Sequence, residues 1–265
     1  MRTDFHNVLV EHDENVVTLT MNRPDVLNAI NTLLLEELTE AVEAAAHDDA
    51  IRCVVLAGAG RAFGAGQDLT EFGSAHAGSQ PLKVSEHLAK YHRLILAIRH
   101  MPKPLIAAIQ GVATGITLNI ALACDIRIAA DNARLGEGFA RIGLVPDGGG
   151  GYTLPRLVGM GRAMEIVLLA EDISGAEAER VGLVNYCVPL SELDKTTRTL
   201  AKRLAHGPTR TYGLIKELMY TSLDRDLQAS LHLEGQLQEA AYATADHRES
   251  VDAFLHKRAA QFTGK

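Results

Sequence analysis

Three short apolar runs constrain this chain more than any other feature. They lie at residues 52–57, 105–109 and 125–130, and each is five or six residues long. Apart from Arg52, Asp125 and Arg127 they are hydrophobic rather than alternating, which reads as strands covered on both faces. Helical patterns separate them. Asn31 can cap a helix whose apolar residues Leu34, Leu38, Ala41, Val42 and Ala45 recur at helical spacing. Residues 81–100 carry a second stripe of Leu88, Tyr91, Leu94, Ile95 and Ile98, stopped by Pro102 and Pro104. A helix of small residues follows at about 114–123. Strand, helix, strand, helix at even spacing predicts a layered α/β core.

The ends of that core are also readable. Residues 8–10 and 16–20 are β-rich around a polar turn at 12–15, which predicts a hairpin. Ser174 with Glu177 forms a capping-box pattern for a short helix, and residues 184–188 read as a last strand. From residue 191 onward every segment is helical, at about 192–205, 209–220, 226–243 and 246–257. The expected organisation is an α/β core over 1–190 and a helical region over 191–265.

Charge and cysteine content narrow the function classes. Twenty-six basic against 33 acidic residues give a net charge of −7. That balance disfavours nucleic acid and anionic membranes, which need clustered Lys and Arg. Cys53, Cys124 and Cys187 sit apart in apolar settings, odd in number and matching no metal template, as expected of reduced core residues in a cytoplasmic protein. The first fifteen residues lack an apolar stretch, so no signal peptide is expected. The longest apolar region, near 105–130, is interrupted by Gln110, Thr114, Thr117, Asn119, Asp125 and Arg127 and cannot span a bilayer.

Two glycine-bearing turns carry the first chemical signal. One is RAFGAGQDL, Arg61 to Leu69; the other lies in QGVATGITLNIALACD, Gln110 to Asp125. After a strand, glycine lets the backbone approach a ligand and present its N–H groups. The second turn opens a helix, whose dipole adds positive potential there. Either alone reads equally well as a packing turn. Together they supply donors that could converge on one developing oxyanion. No G-x-G-x-x-G, H-E-x-x-H or G-x-S-x-G is present, and His87 and His92 are five apart, off a common helix face. Neither a metal nor a redox cofactor is expected.

Those turns belong to a longer series of motifs. NRP…LNA at residues 22–29, RAFGAGQDL, KPLIAAIQGVATG from Lys103, CDIRIAA, IGLVPDGGG and the terminal AFLHKR occur in one order along the chain. The series resembles the crotonase, or enoyl-CoA hydratase/isomerase, superfamily over essentially the whole length. IGLVPDGGG, GQDL and the chain end look most like the ring-1,2-epoxyphenylacetyl-CoA isomerases of phenylacetate breakdown. The resemblance implies a spiral of ββα units with a C-terminal helical trimerisation region. It implies an acyl-CoA thioester as substrate, its carbonyl oxygen held by the backbone N–H groups of Gln67 and Ile116. It implies contacts to substrate or coenzyme A from Arg23, Val26, Ala65, Gln67, Asp68, Leu69, Phe139, Phe254 and Lys257. The partner expected is further copies of the chain, as a trimer or a dimer of trimers.

The chain departs from the hydratase pattern in one decisive respect. Asn119 and Phe139 stand where the resemblance places two water-activating glutamates, and neither side chain is a base near pH 7. Asp147 is the acid that remains at a family acid/base position. Its setting, between Pro146 and Gly148, also suits a helix N-cap, and the two roles can coexist. Glu137, two residues before Phe139 and on the same face if the segment is a strand, is an alternative base. Phe254, Lys257 and Arg23 could equally be an amphipathic terminal helix and a solvated surface cation. The expected activity is an acyl-CoA isomerase, shifting a double bond or expanding the epoxide ring. The alternatives are a 2-enoyl-CoA hydratase and a non-catalytic acyl-CoA-binding protein. Residues 72–84, rich in Gly and Ser, are expected to form part of the acyl pocket wall.

Overall fold

A computed structural model describes residues 2–71 and 83–265, so most of the stretch expected to wall the acyl pocket lies outside the described residues. The predicted hairpin is β1 (Val8–Asp13) against β2 (Val16–Met21), paired antiparallel. The three apolar runs are β3 (Cys53–Gly58), β4 (Leu105–Ile109) and β6 (Ile126–Ala130), all buried or nearly so. With β9 (Tyr186–Val188) they complete a six-stranded sheet in the order β1-β2-β3-β4-β6-β9. Beyond the hairpin the neighbours run parallel. Because spatial order follows chain order, each crossover advances the sheet by one strand. A second, three-stranded sheet joins β5 (Val112–Thr114), β7 (Arg134–Gly136) and β8 (Ile173–Ser174).

Helices cover both faces of the large sheet. α1 (Thr32–His47) is capped by Asn31, whose Oδ1 accepts from the Leu34 amide at 2.9 Å. It packs on α2 (Val84–His100), which buries Tyr91, Leu94 and Ile98. α3 (Ile116–Ala123) is buried at all eight positions, so its first turn is held with little freedom. α4 (Gly150–Val158), α5 (Met160–Leu169) and α6 (Gly175–Arg180) follow. Ser174 Oγ accepts from the Glu177 amide at 3.2 Å, as the capping pattern requires. α7 (Leu190–Ala205) covers the opposite face, where Leu193, Ala201 and Ala205 meet Val55, Ile106 and Ile128. α8 (Thr209–Ser222), α9 (Leu227–Tyr242) and α10 (Ala245–Leu255) complete the chain. All three cysteines are free. Among the described residues no helix is long and apolar enough to cross a membrane.

Two local expectations are corrected. Residues 137–139 are not a strand. β7 ends at Gly136, and a 3-10 turn, Gly138–Ile142, begins after Glu137. A period of two therefore does not relate Glu137 to Phe139. Nor does Asp147 cap a helix: Gly149, at φ 80°, is the N-cap of α4 and no side chain caps it.

Candidate active site

The two glycine turns are fastened to each other by backbone pairing. The Phe63 amide donates to Gln110 O at 2.8 Å, the Gly64 amide to Val112 O at 2.9 Å and the Thr114 amide to Gly64 O at 3.1 Å. Thr117, fully buried, completes the joint. Its hydroxyl donates to Gly64 O at 2.6 Å and accepts from the Gly66 amide at 3.2 Å. Gly64 has to be glycine here, because a Cβ would lie 2.7 Å from Thr117 Cβ. Gln67 follows Gly66 and Ile116 precedes Thr117. The two predicted donor amides therefore flank one hydrogen bond. Ile116 is the first residue of α3, so its N–H has no partner within the helix and lies at the positive end of the dipole. Gly115, at φ 53° and ψ −128°, makes the turn into α3 with a backbone that L side chains rarely adopt.

The first loop is anchored from below by Asn28, which the sequence reading recognised only as part of a motif. Asn28 is fully buried and sits at φ 55°. Its Nδ2 donates to Ala59 O at 2.9 Å and to Ala62 O at 2.8 Å, while its Oδ1 accepts from the Arg23 amide at 2.9 Å. Arg23 pairs with Asp68 at 2.9 Å and donates to Ala29 O, so its charge is engaged within the loop. The Ala65 amide donates to Leu27 O at 2.9 Å. Val26 and Leu69 are exposed at the loop mouth.

Above the loops lies the segment holding Asp147. Gly148, at φ 54°, sits so close to α3 that a Cβ would strike the Ile116 side chain and come within 3.3 Å of Asn119 Cβ. Asp147 is thus placed over the first turn of α3. Burial raises its carboxyl to about 6, and its Oδ1 is buried without a partner. Asn119 joins the parts. Its Nδ2 donates to Asp147 O at 3.0 Å and to Glu137 Oε2 at 3.4 Å. A carbonyl oxygen can only accept, so the amide's orientation is fixed. Glu137 is fully buried, and desolvation first, with the Asp147 charge as a lesser cause, raises its carboxyl to about 8. Phe139, also buried, lays its ring over Gly115, 3.5 Å from where a Cβ would be.

Tyr91 is a further neighbour, read in the sequence only as part of a core stripe. Its hydroxyl donates to Gln67 Oε1, and His87 Nε2 lies 3.3 Å from the same oxygen. Burial, and then the charge of Asp147, hold the Tyr91 hydroxyl above its ordinary value. α2 thereby touches both Gln67 and the surroundings of Asp147. The structure brings Ala65, Gln67, Ile116, Phe139 and Asp147 together, with Arg23 and Asp68 supporting them. Phe254 and Lys257 are exposed at the end of α10. Among the described residues no hydrogen bond or ion pair ties either to these loops.

Comparison with known proteins places this geometry. Residues 11–265 match the family Enoyl-CoA hydratase/isomerase. The chain belongs to it. It is 41% identical over 261 residues to a Rhodobacter capsulatus protein named "Probable enoyl-CoA hydratase", covering 98% of this chain and 99% of that one. It is 40% identical over 258 residues to the 1,2-epoxyphenylacetyl-CoA isomerase of Escherichia coli, covering 97% and 98%. The crystal structure of enoyl-CoA hydratase from Bacillus anthracis superposes with a TM-score of 0.92 at 34% identity, covering 98% of this chain and all of that one. The crotonase-type spiral expected from the motifs is therefore the fold of this protein. The family contains both activities, and the comparisons divide between them.

Proposed function

We propose that this protein is an acyl-CoA isomerase in which Asp147 moves a proton on an enolate held by the Gln67 and Ile116 amides. The observation that carries the reading is Asp147 itself, a largely buried carboxyl raised to about 6 over the first turn of α3. A base near that value is ionised at neutral pH yet strong enough to take a thioester α-proton once the enolate is stabilised. Each backbone donor aimed at the oxyanion contributes about 3 kcal/mol, judged by the loss when one is removed. Hydration would need a group that activates water beside the bound thioester. Asn119 cannot ionise, and the Phe139 ring presents apolar surface at the turn into α3.

Two substrates fit this chemistry. One is a 3-enoyl thioester, whose double bond moves to the 2-position. The other is a ring-1,2-epoxide, a reading favoured by the similarity to the E. coli isomerase. The coenzyme A moiety belongs to the substrate, and neither a metal nor a redox group takes part in the proton transfer. The test is a panel of 2-enoyl-, 3-enoyl- and ring-epoxide-CoA thioesters followed by product analysis in deuterated water. Double-bond shift or ring expansion with deuterium incorporation supports the proposal. Brisk hydration of crotonyl-CoA without isomerisation would replace it with the hydratase reading.

A further inference from the structure

Among the described residues, four buried side-chain polar atoms have no hydrogen-bond partner, and three of them meet at one place. They are Asn119 Oδ1, Glu137 Oε1 and Asp147 Oδ1. The residues that carry them are joined by a single amide, Asn119 Nδ2, which reaches Glu137 Oε2 and Asp147 O. Buried polar atoms in folded proteins are nearly always satisfied. Three such atoms together mark a polar cluster whose hydrogen bonding depends on which carboxyl carries a proton.

The chemistry of Glu137 says which one does. Among the described residues the groups that act on it are the Asn119 amide and the Asp147 carboxyl, and no Lys, Arg or His offsets a charge on it. An isolated buried carboxylate is very costly, so the group keeps its proton. Because Oε2 accepts from Asn119, the proton belongs on Oε1, the atom without a partner. Among the described residues no hydrogen bond from the rest of the protein locks that oxygen, so its proton can be given up. Asp147 is less deeply buried and loses its proton first. The resting site therefore holds one base and one acid on either side of Asn119.

We propose that Glu137 is a second proton-transfer group of this site, delivering a proton to one carbon of the bound acyl chain while Asp147 removes one from another. The proposal rests on the isomerase reading above. The balance is simple. Asp147 carboxylate takes the α-proton, and the electron pair passes into the enolate held by the two amides. Glu137 then gives its proton to the distal carbon as the enolate collapses to the conjugated product. The site is left with Asp147 protonated and Glu137 ionised. A proton passing from Asp147 to Glu137, directly or through a water, restores the starting state. No oxidant, reductant or other co-reactant is required.

The experiment is Glu137→Gln, which keeps shape and neutrality but cannot give a proton, assayed with a 3-enoyl-CoA in deuterated water. The expected result is a fall of about 100-fold or more in kcat for the double-bond shift, with KM nearly unchanged. Deuterium exchange at the α-carbon, driven by Asp147, continues. Isomerisation at more than a third of the wild-type rate in Glu137→Gln overturns the proposal and leaves Asp147 as sole acid/base. Loss of α-exchange together with isomerisation also overturns it, since Glu137 would then only position the site. If wild type neither exchanges the α-proton nor isomerises any thioester, the isomerase reading fails and takes this proposal with it. Should Glu137→Gln not fold, infrared spectra of wild type and Asp147→Asn decide. A protonated-carboxyl band present at pH 7 in both and gone by pH 9 to 10 is expected. Its absence from Asp147→Asn, with or without a band in wild type, overturns the proposal.

Discussion

The Thr117 hydroxyl donates to the Gly64 carbonyl across 2.6 Å, and that bond fastens the two halves of the oxyanion site to each other. One half comes from the loop after β3, the other from the turn into α3. Their register decides where the Gln67 and Ile116 amides point. Thr117→Val removes the hydroxyl at nearly constant shape and leaves the buried Gly66 amide without its partner. A loss of about 1–3 kcal/mol in unfolding free energy is expected, with a larger fall in turnover than in thioester affinity. Urea denaturation and steady-state kinetics check both. Unchanged turnover would mean that the backbone pairing alone holds the register.

Asp147→Asn is expected to lower isomerisation by about 10²–10⁴-fold while acyl-CoA affinity stays close to wild type. The substitution keeps the backbone carbonyl that receives Asn119, so the loop stays in place. Rapid-mixing kinetics beside calorimetric titration with a non-reactive thioester separate the two quantities. A variant with more than about a third of wild-type turnover would remove Asp147 from the chemistry.

The buried carboxyls also set the pH dependence of stability. Glu137 rises from an ordinary 4.5 to about 8 on folding, and Asp147 from 3.8 to about 6. Between the unfolded and folded values the native state binds more protons than the unfolded chain, so stability falls as pH rises. The favourable contribution is complete below about pH 4 and is gone above about pH 8. His87, lowered by burial, acts in the opposite direction near its ordinary value, so the comparison with a variant matters. Melting temperatures at pH 5, 6, 7 and 8 should decline more steeply in wild type than in Glu137→Gln. Parallel curves would show that Glu137 titrates normally.

The last helices predict assembly. Leu227 and Tyr242 on α9, and Phe254 and Leu255 on α10, are each at least 69% exposed. Monomers rarely leave so much apolar surface in contact with water. Light scattering at low micromolar protein should give three or six times the 28.5 kDa chain mass. A species near 28.5 kDa would refute the assembly. In an oligomer, Phe254 and Lys257 are expected near a coenzyme A bound at a subunit boundary, and Lys257→Ala should then weaken binding of acyl-CoA more than of the acyl-pantetheine fragment.

Legibility in the sequence followed the physics of each element. Strands buried on both faces are continuous apolar runs, so β3, β4 and β6 were found to within a residue or two. Caps that depend on one side chain, Asn31 and Ser174, were equally plain. The strand placement of Glu137 fails for a geometric reason. The 3-10 turn after it breaks the period-two count, and nothing in the local string signals that its carboxyl folds back toward Asn119. Asp147 was offered a capping role because Asp suits that position, but glycine at φ 80° took it two residues later. Tyr91 fell on a hydrophobic stripe, where a hydroxyl aimed at Gln67 leaves no trace in periodicity. Contacts between residues distant in sequence are what patterns along one segment cannot record.

The direction of the Asn119 amide limits which side chain can stand at position 119. Its NH₂ end faces the Asp147 carbonyl, a place where a carboxylate could offer only another lone pair. A carboxylate at position 119 would lose the donor on which the 146–151 loop leans and add a second charge beside Glu137. Asparagine is thus the neutral peg between two buried acids: it holds the loop by a hydrogen bond and leaves the local charge to them alone.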